Sequence, residues 1–235
     1  MRNFSNITRV ALLAGIASFG LGSAAQAGLS CAAGVCTASL DTGSHATELN
    51  SNLLFPLFDS TLGTLMSVSV VITGQLNILG TSSVTNTAGT AQTFFAGENA
   101  IFSLSDTTNP SGALAALMAA MALNPTYSQH YVNLGAGVTA AFGPATPSVN
   151  TTLNGPLSTF EASGGGSDNL NVTTLTGTSF NGGGGNVTGI FNTTGDLTIG
   201  VTYNYTETPA PEPASLALMG AGLAGLGFVR RRRTR

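Results

Sequence analysis

The chain is predicted to be mainly β: an antiparallel sandwich or jelly-roll-like domain with one short helix, framed by an N-terminal signal peptide and a C-terminal transmembrane helix. Three observations predict this. Apolar and small polar residues alternate with period two in short runs, most regularly over Leu197–Thr206. Gly- and Asn-containing turns separate those runs. The two ends of the chain are apolar stretches flanked by arginines, unlike anything between them.

At 235 residues the chain is long enough for one sizeable domain plus targeting segments. Its seven basic residues are Arg2, Arg9, Arg230, Arg231, Arg232, Arg233 and Arg235, so every cation lies at an end. The ten acids lie between those ends, and the formal net charge is −3. Nucleic acid is excluded as a partner, because phosphate binding needs Lys or Arg to replace counterions. Phosphate-handling enzymes are disfavoured on the same ground. An apolar fraction of 43% is too high for a disordered body.

At the N-terminus, Arg2 and Arg9 form a basic region, Val10–Leu21 an apolar one, and Ala25-Gln26-Ala27 a small-x-small site. That pattern predicts a signal peptide, 1–27, cut between Ala27 and Gly28 after delivery to the Sec translocation machinery. A retained membrane helix is the weaker reading, since the run falls short of the ~20 residues needed to span. An exported domain is expected over 28–208. In an oxidising compartment Cys31 and Cys36, the two cysteines, can close a small loop as a disulfide. Their spacing does not match zinc or redox motifs.

From Phe55 onward the expected strands are Met66–Val70, Gln75–Leu79, Thr90–Phe95 and Asn99–Ser105, with turns at Gly74, Gly80, Asn86–Gly89 and Gly97. Gly112–Leu123 consists of strong helix formers between Pro110-Ser111 and Asn124-Pro125, and predicts one short buried helix. At about 18 Å it cannot cross a bilayer. Further strands are expected at Tyr131–Leu134, Gly137–Phe142, Leu157–Glu161, Leu170–Leu175 and Val187–Phe191, then at Leu197–Thr206. Gly164–Gly166 and Gly182–Gly185 read as loop tips, not phosphate cradles, because no Lys-Ser/Thr or helical pattern follows them.

Catalytic motifs are missing: there is no Gly-x-Ser-x-Gly elbow and no His-Glu-x-x-His pair. His45 and His130 are the two imidazoles, and neither sits in a nucleophile or metal motif. The body is therefore expected to have no enzymatic activity and no cofactor. Calcium is the most physical metal for an anionic exported β domain, with Asp168 and Asn169 beside Gly164–Gly166 as weak candidate ligands. They do not match the Asp-x-Asp-x-Asp-Gly register.

The tail, 209–235, combines Pro211-Glu212-Pro213, the apolar run Ala214–Val229 and the basic end Arg230-Arg231-Arg232-Arg233-Thr234-Arg235. As a helix, 214–229 reaches about 24 Å, short of the ~30 Å hydrocarbon core; snorkelling arginines and local thinning make up the difference. The arginines are expected to stay cytoplasmic, leaving the body on the far side. In order and composition this tail resembles the PEP-CTERM sorting signal of Gram-negative bacteria. The resemblance implies recognition of Pro211, Glu212 and Pro213 by an exosortase, and delivery through the inner membrane to the cell surface, outer envelope or extracellular matrix. The body, over roughly 45–206, resembles choice-of-anchor domains, type E, on Phe58-Asp59-Ser60-Thr61-Leu62-Gly63-Thr64-Leu65 and Val201-Thr202-Tyr203-Asn204-Tyr205-Thr206. The resulting expectation is a structural or adhesive surface protein linked to exopolysaccharide or biofilm. The alternative is a noncatalytic polysaccharide- or calcium-binding module, and a secreted hydrolase is the distant third.

Overall fold

The computed structural model describes residues 28–153 and 155–208, with Gly220, Ala221 and Leu223. The expected signal peptide, 1–27, lies outside the described residues, as do Pro211, Glu212, Pro213, Arg230, Arg231, Arg232 and Arg233. Gly220, Ala221 and Leu223, inside the expected transmembrane segment, are helical. Among the described residues no helix is long and apolar enough to cross a membrane.

A hairpin of β1 (Ser30–Ala32) and β2 (Val35–Asp41) opens the domain, followed by β3 (His45–Ala46), β4 (Asn50–Pro56) and β5 (Phe58–Asp59). The long β6 (Gly63–Ile78), β7 (Ser83–Asn86) and β8 (Gln92–Asp106) lead to α1 (Ala113–Ala119). After it come β9 (Ala122–Leu123), β10 (Thr126–Leu134), β11 (Thr139–Ala141), β12 (Ser148–Leu153) and β13 (Glu161–Ala162). The chain closes with β14 (Ser167–Gly182), β15 (Val187–Ile190) and β16 (Thr193–Glu207).

Two antiparallel sheets face each other. One has the order β1-β2-β16-β6-β12, with β3 also on β16; the other has the order β10-β8-β14-β4, with β9 also on β8. A small third sheet has the order β11-β7-β15, and β5 pairs with β13 in parallel. The period-two patterns direct the core. Along β16, Leu197, Ile199, Val201 and Tyr203 are buried while Thr198, Gly200 and Thr202 are not, as the alternation predicts. Phe94, Ala96, Ala100, Phe102 and Leu104 of β8 meet them from the opposite sheet. The Tyr203 hydroxyl donates to the Pro56 carbonyl at 2.7 Å, tying the six-stranded sheet to β4 of the other.

Several sequence expectations are corrected. Gly74 and Gly97 are not turns: Met66–Val70 and Gln75–Ile78 belong to the single strand β6, which ends before Leu79, while Thr90–Phe95 and Asn99–Ser105 belong largely to β8. At Gly74 an added Cβ would lie 3.0 Å from the Phe102 ring and 3.3 Å from Leu123, so the missing side chain lets the facing sheet approach. One bulge sits in β6, where Asn204 pairs with Ser67 but Tyr205 pairs with Leu65. It keeps both Leu65 and Val68 turned inward and leaves Met66 exposed.

The helix ends at Ala119, short of Leu123, and Ala122–Leu123 pairs with Ser103–Phe102 instead. Its Leu114, Ala115 and Met118 are buried. Leu157–Glu161 is a 3-10 turn over Leu157–Thr159 followed by the two-residue β13, not a strand. Strands expected at Tyr131–Leu134 and Leu170–Leu175 run longer, as β10 and β14. Gly164, Gly165 and Gly166 adopt positive φ at the tip before β14.

Candidate functional site

The outer face of the five-stranded sheet carries a polar groove of about 510 Å³. Alternation along β8 turns Phe95, Gly97 and Asn99 outward, opposite the buried Phe94, Ala96 and Ala100. In register beside them on β10 stand His130, Ser128 and Thr126, and on β14 stand Asn181, Ser179 and Gly177. The floor is low at Gly97, where a Cβ would meet the Ser179 Oγ at 2.8 Å. Asn99 Nδ2 donates to Asn124 Oδ1 at 3.0 Å, fixing the amide pair at one end. At the other end Phe95, 46% exposed, stacks on His130 with ring centroids 4.1 Å apart and planes 10° from parallel. Sequence reasoning missed this groove, which gathers residues from three separated segments.

Beneath the groove lies Glu98, whose side chain points the opposite way and is 4% exposed. Its Oε2 has no hydrogen-bond partner among the described residues. Burial raises its pKa, and the Thr193 hydroxyl opposes that shift only in part. A buried carboxyl is expensive to ionise where no cation is near, and the body has no Lys or Arg to supply one.

The weak calcium candidates do not converge. Asp168 and Asn169 are consecutive on β14 and project to opposite faces. Asp168 is raised first by burial and then by the charge of Asp106. Asp106 is 3% exposed; its Oδ1 accepts from the Thr108 and Asn109 amides, and its Oδ2 is unpartnered among the described residues. No group of three or more His, Cys, Asp or Glu suited to a metal occurs among those residues.

The two histidines are on different sheets. His45 on β3 donates from Nε2 to the Thr42 carbonyl at 2.6 Å, whereas His130 stacks on Phe95. Asp196 is raised by burial and by Asp41. The Cys31 and Cys36 sulfurs are bonded across the β1–β2 hairpin, where the two residues are direct partners. Gly28, at the expected cleavage position, lines a second cavity of about 350 Å³ with Cys31, Asp59 and Gly165. There Asp59 Oδ1 accepts from the Thr61 hydroxyl, the Thr61 amide and the Gly164 amide, which holds its pKa down.

Residues 209–233 match the family model of the PEP-CTERM protein-sorting motif. The chain carries a PEP-CTERM sorting motif. This motif implies an exported protein that passes through the membrane and is sorted to the cell surface by an exosortase. It begins two residues after β16 ends at Glu207, so the sorting segment follows the folded domain with almost no linker. No curated protein matches the chain. Among solved structures, the VP2 subviral particle of infectious bursal disease virus is similar at 12% identity, over 73% of this chain and 38% of that one, with a TM-score of 0.25. The Gx strain of the same virus gives 14% identity over 74% and 37%, with a TM-score of 0.23. Maize chlorotic mottle virus gives 12% identity over 76% and 97%, with a TM-score of 0.16. The chain thus spans well under half the length of the first two.

Proposed function

We propose that this PEP-CTERM protein has a structural or adhesive, noncatalytic role at the cell surface or in an exopolysaccharide-containing matrix. It enters the Sec pathway through its N-terminal segment and is processed by an exosortase at Pro211-Glu212-Pro213, with Arg230–Arg233 held on the cytoplasmic side until then. The observation that carries this reading is the sorting motif at 209–233, placed directly after the last strand. We assign the body, 45–206, to the choice-of-anchor group, type E, on the residues that resemble it.

A binding role for polysaccharide is the second reading, and the polar, amide- and hydroxyl-lined groove around Gly97 favours it over calcium, whose candidate ligands diverge. Hydrolysis has less support, since His45 and His130 belong to different sheets and share no site. Cell fractionation with mass spectrometry of the mature termini tests the sorting reading. The expected product is surface-associated, begins at Gly28 and has lost Arg235. Surface-retained protein with Arg235 intact overturns exosortase processing.

A further inference from the structure

We propose that the groove on the outer face of the five-stranded sheet binds an uncharged hexopyranose chain, with Phe95 as its stacking platform and Asn99 as a hydrogen-bonding anchor. The inference deepens the surface-protein reading and rests on it only for where such a polymer would be met.

Chemistry selects the ligand class. The exposed side chains of the groove supply amides and hydroxyls (Asn99, Asn124, Asn181, Ser128, Ser179) and the Phe95 ring; Glu98, which also lines it, is 4% exposed, and the His130 imidazole is stacked against Phe95. A hexopyranose presents the complement: equatorial hydroxyls at its edge that both donate and accept, and an apolar C–H face that lies flat on a ring. Side-chain amides and hydroxyls likewise both donate and accept, so they can pair with such hydroxyls without imposing a charge. Phe95 is held ready, because His130 covers one side of its ring and sets its plane while leaving it about half exposed.

Competing occupants fit less well. An acidic polymer meets a body that carries acids and no Lys or Arg. A phosphorylated ligand finds no cation to neutralise it. An extended peptide pairs with a sheet edge, which here is the outer side of β10, whereas the groove floor on β8 is paired on both sides, by β10 and β14. A lipid chain needs an apolar trough, and this groove is lined mainly by polar groups.

The dimensions suit a polymer segment. From Phe95 to Asn99 the groove follows β8 for about 13 Å, and it crosses the three strands β10, β8 and β14, a width of about 10 Å. Gly97 is central to this shape: any larger side chain there would stand in the middle of the floor, between Ser128 and Ser179.

The test is affinity electrophoresis of the protein purified from its host's surface fraction, in gels containing hydroxyethylcellulose, dextran, galactomannan or alginate. At least one neutral polymer is expected to retard the protein, and alginate is not. Phe95→Ala is expected to weaken retardation about tenfold or more, as removal of a central aromatic anchor does at other interfaces. Asn99→Ala should weaken it by a smaller factor. Leu175→Ala, exposed on the same sheet but not lining the groove, should leave it unchanged and so reports on folding. Failure of every neutral polymer to retard the wild type overturns the proposal. So does full retardation of the Phe95→Ala protein, or preferential retardation by alginate. The outcome is separable from sorting: retardation by protein that retains Arg235 sinks processing and keeps the groove, and correctly processed protein without retardation does the reverse.

Discussion

On its outer side the six-stranded sheet presents Thr198, Gly200 and Thr202 of β16 beside Ser69, Val71 and Thr73 of β6, a low carpet of small side chains. The five-stranded sheet presents Phe95 stacked on His130, an asparagine pair and a depression at Gly97. The inner faces differ less, since each is an alternating row of Leu, Ile, Val and aromatic residues. They differ in what polar group each must hide. The six-stranded sheet buries Tyr203 with its hydroxyl satisfied by Pro56, while the five-stranded sheet buries Glu98 and Asp106, each with one orphaned oxygen. Shared apolar packing accounts for the sandwich, and the polar differences mark where the two sheets diverge in chemistry.

The largest test breaks the symmetry of the inner faces. Phe102→Ala on one sheet and Ile72→Ala on the other each empty a fully buried site, and both are expected to cost about 2–5 kcal/mol in urea unfolding. A loss below about 1 kcal/mol for either would mean that one sheet does not hold the core. A smaller effect follows from Tyr203→Phe, which leaves the buried Pro56 carbonyl without its donor and should cost about 1–2 kcal/mol. An unchanged midpoint would show that this inter-sheet bond adds nothing net.

The smallest effect is one of pH. Glu98 titrates above its ordinary value of 4.5 because burial disfavours the anion. A group with a raised folded-state pKa stabilises fully below its unfolded value and loses that contribution as pH rises through the folded one. Asp168 and Asp196 act in the same sense; Asp59, lowered by its Thr61 and Gly164 bonds, acts in the opposite one. Glu98→Gln is therefore expected to make the fall in stability between pH 4 and pH 7 shallower, measured by unfolding at each pH. An identical slope in the variant would place the cost elsewhere.

The sandwich was legible where a pattern is local. The ten residues Leu197–Thr206 carry their own period, and the burial of β16 follows it residue by residue. Glycine was ambiguous because its reason lies across the fold. Gly74 reads as a turn in the sequence, yet it sits in mid-strand because Phe102, far along the chain, occupies the space of its side chain. Leu157–Glu161 is apolar enough for a strand, but Pro156 begins a 3-10 turn there. The groove was illegible for a related reason: Phe95, Asn99, Asn124, Ser128, Ser179 and Asn181 are unremarkable one by one in a chain rich in Asn and Ser, and only the register of β10, β8 and β14 assembles them. The sorting motif needed no fold at all, since its recognition depends on order along the tail.

β16 is the last strand among the described residues, but it is not at an edge: β2 and β6 flank it along most of its length. A pull transmitted through the tail therefore enters the body at Glu207, along the axis of that strand. Force in that direction shears the rungs to both neighbours together instead of peeling them one at a time.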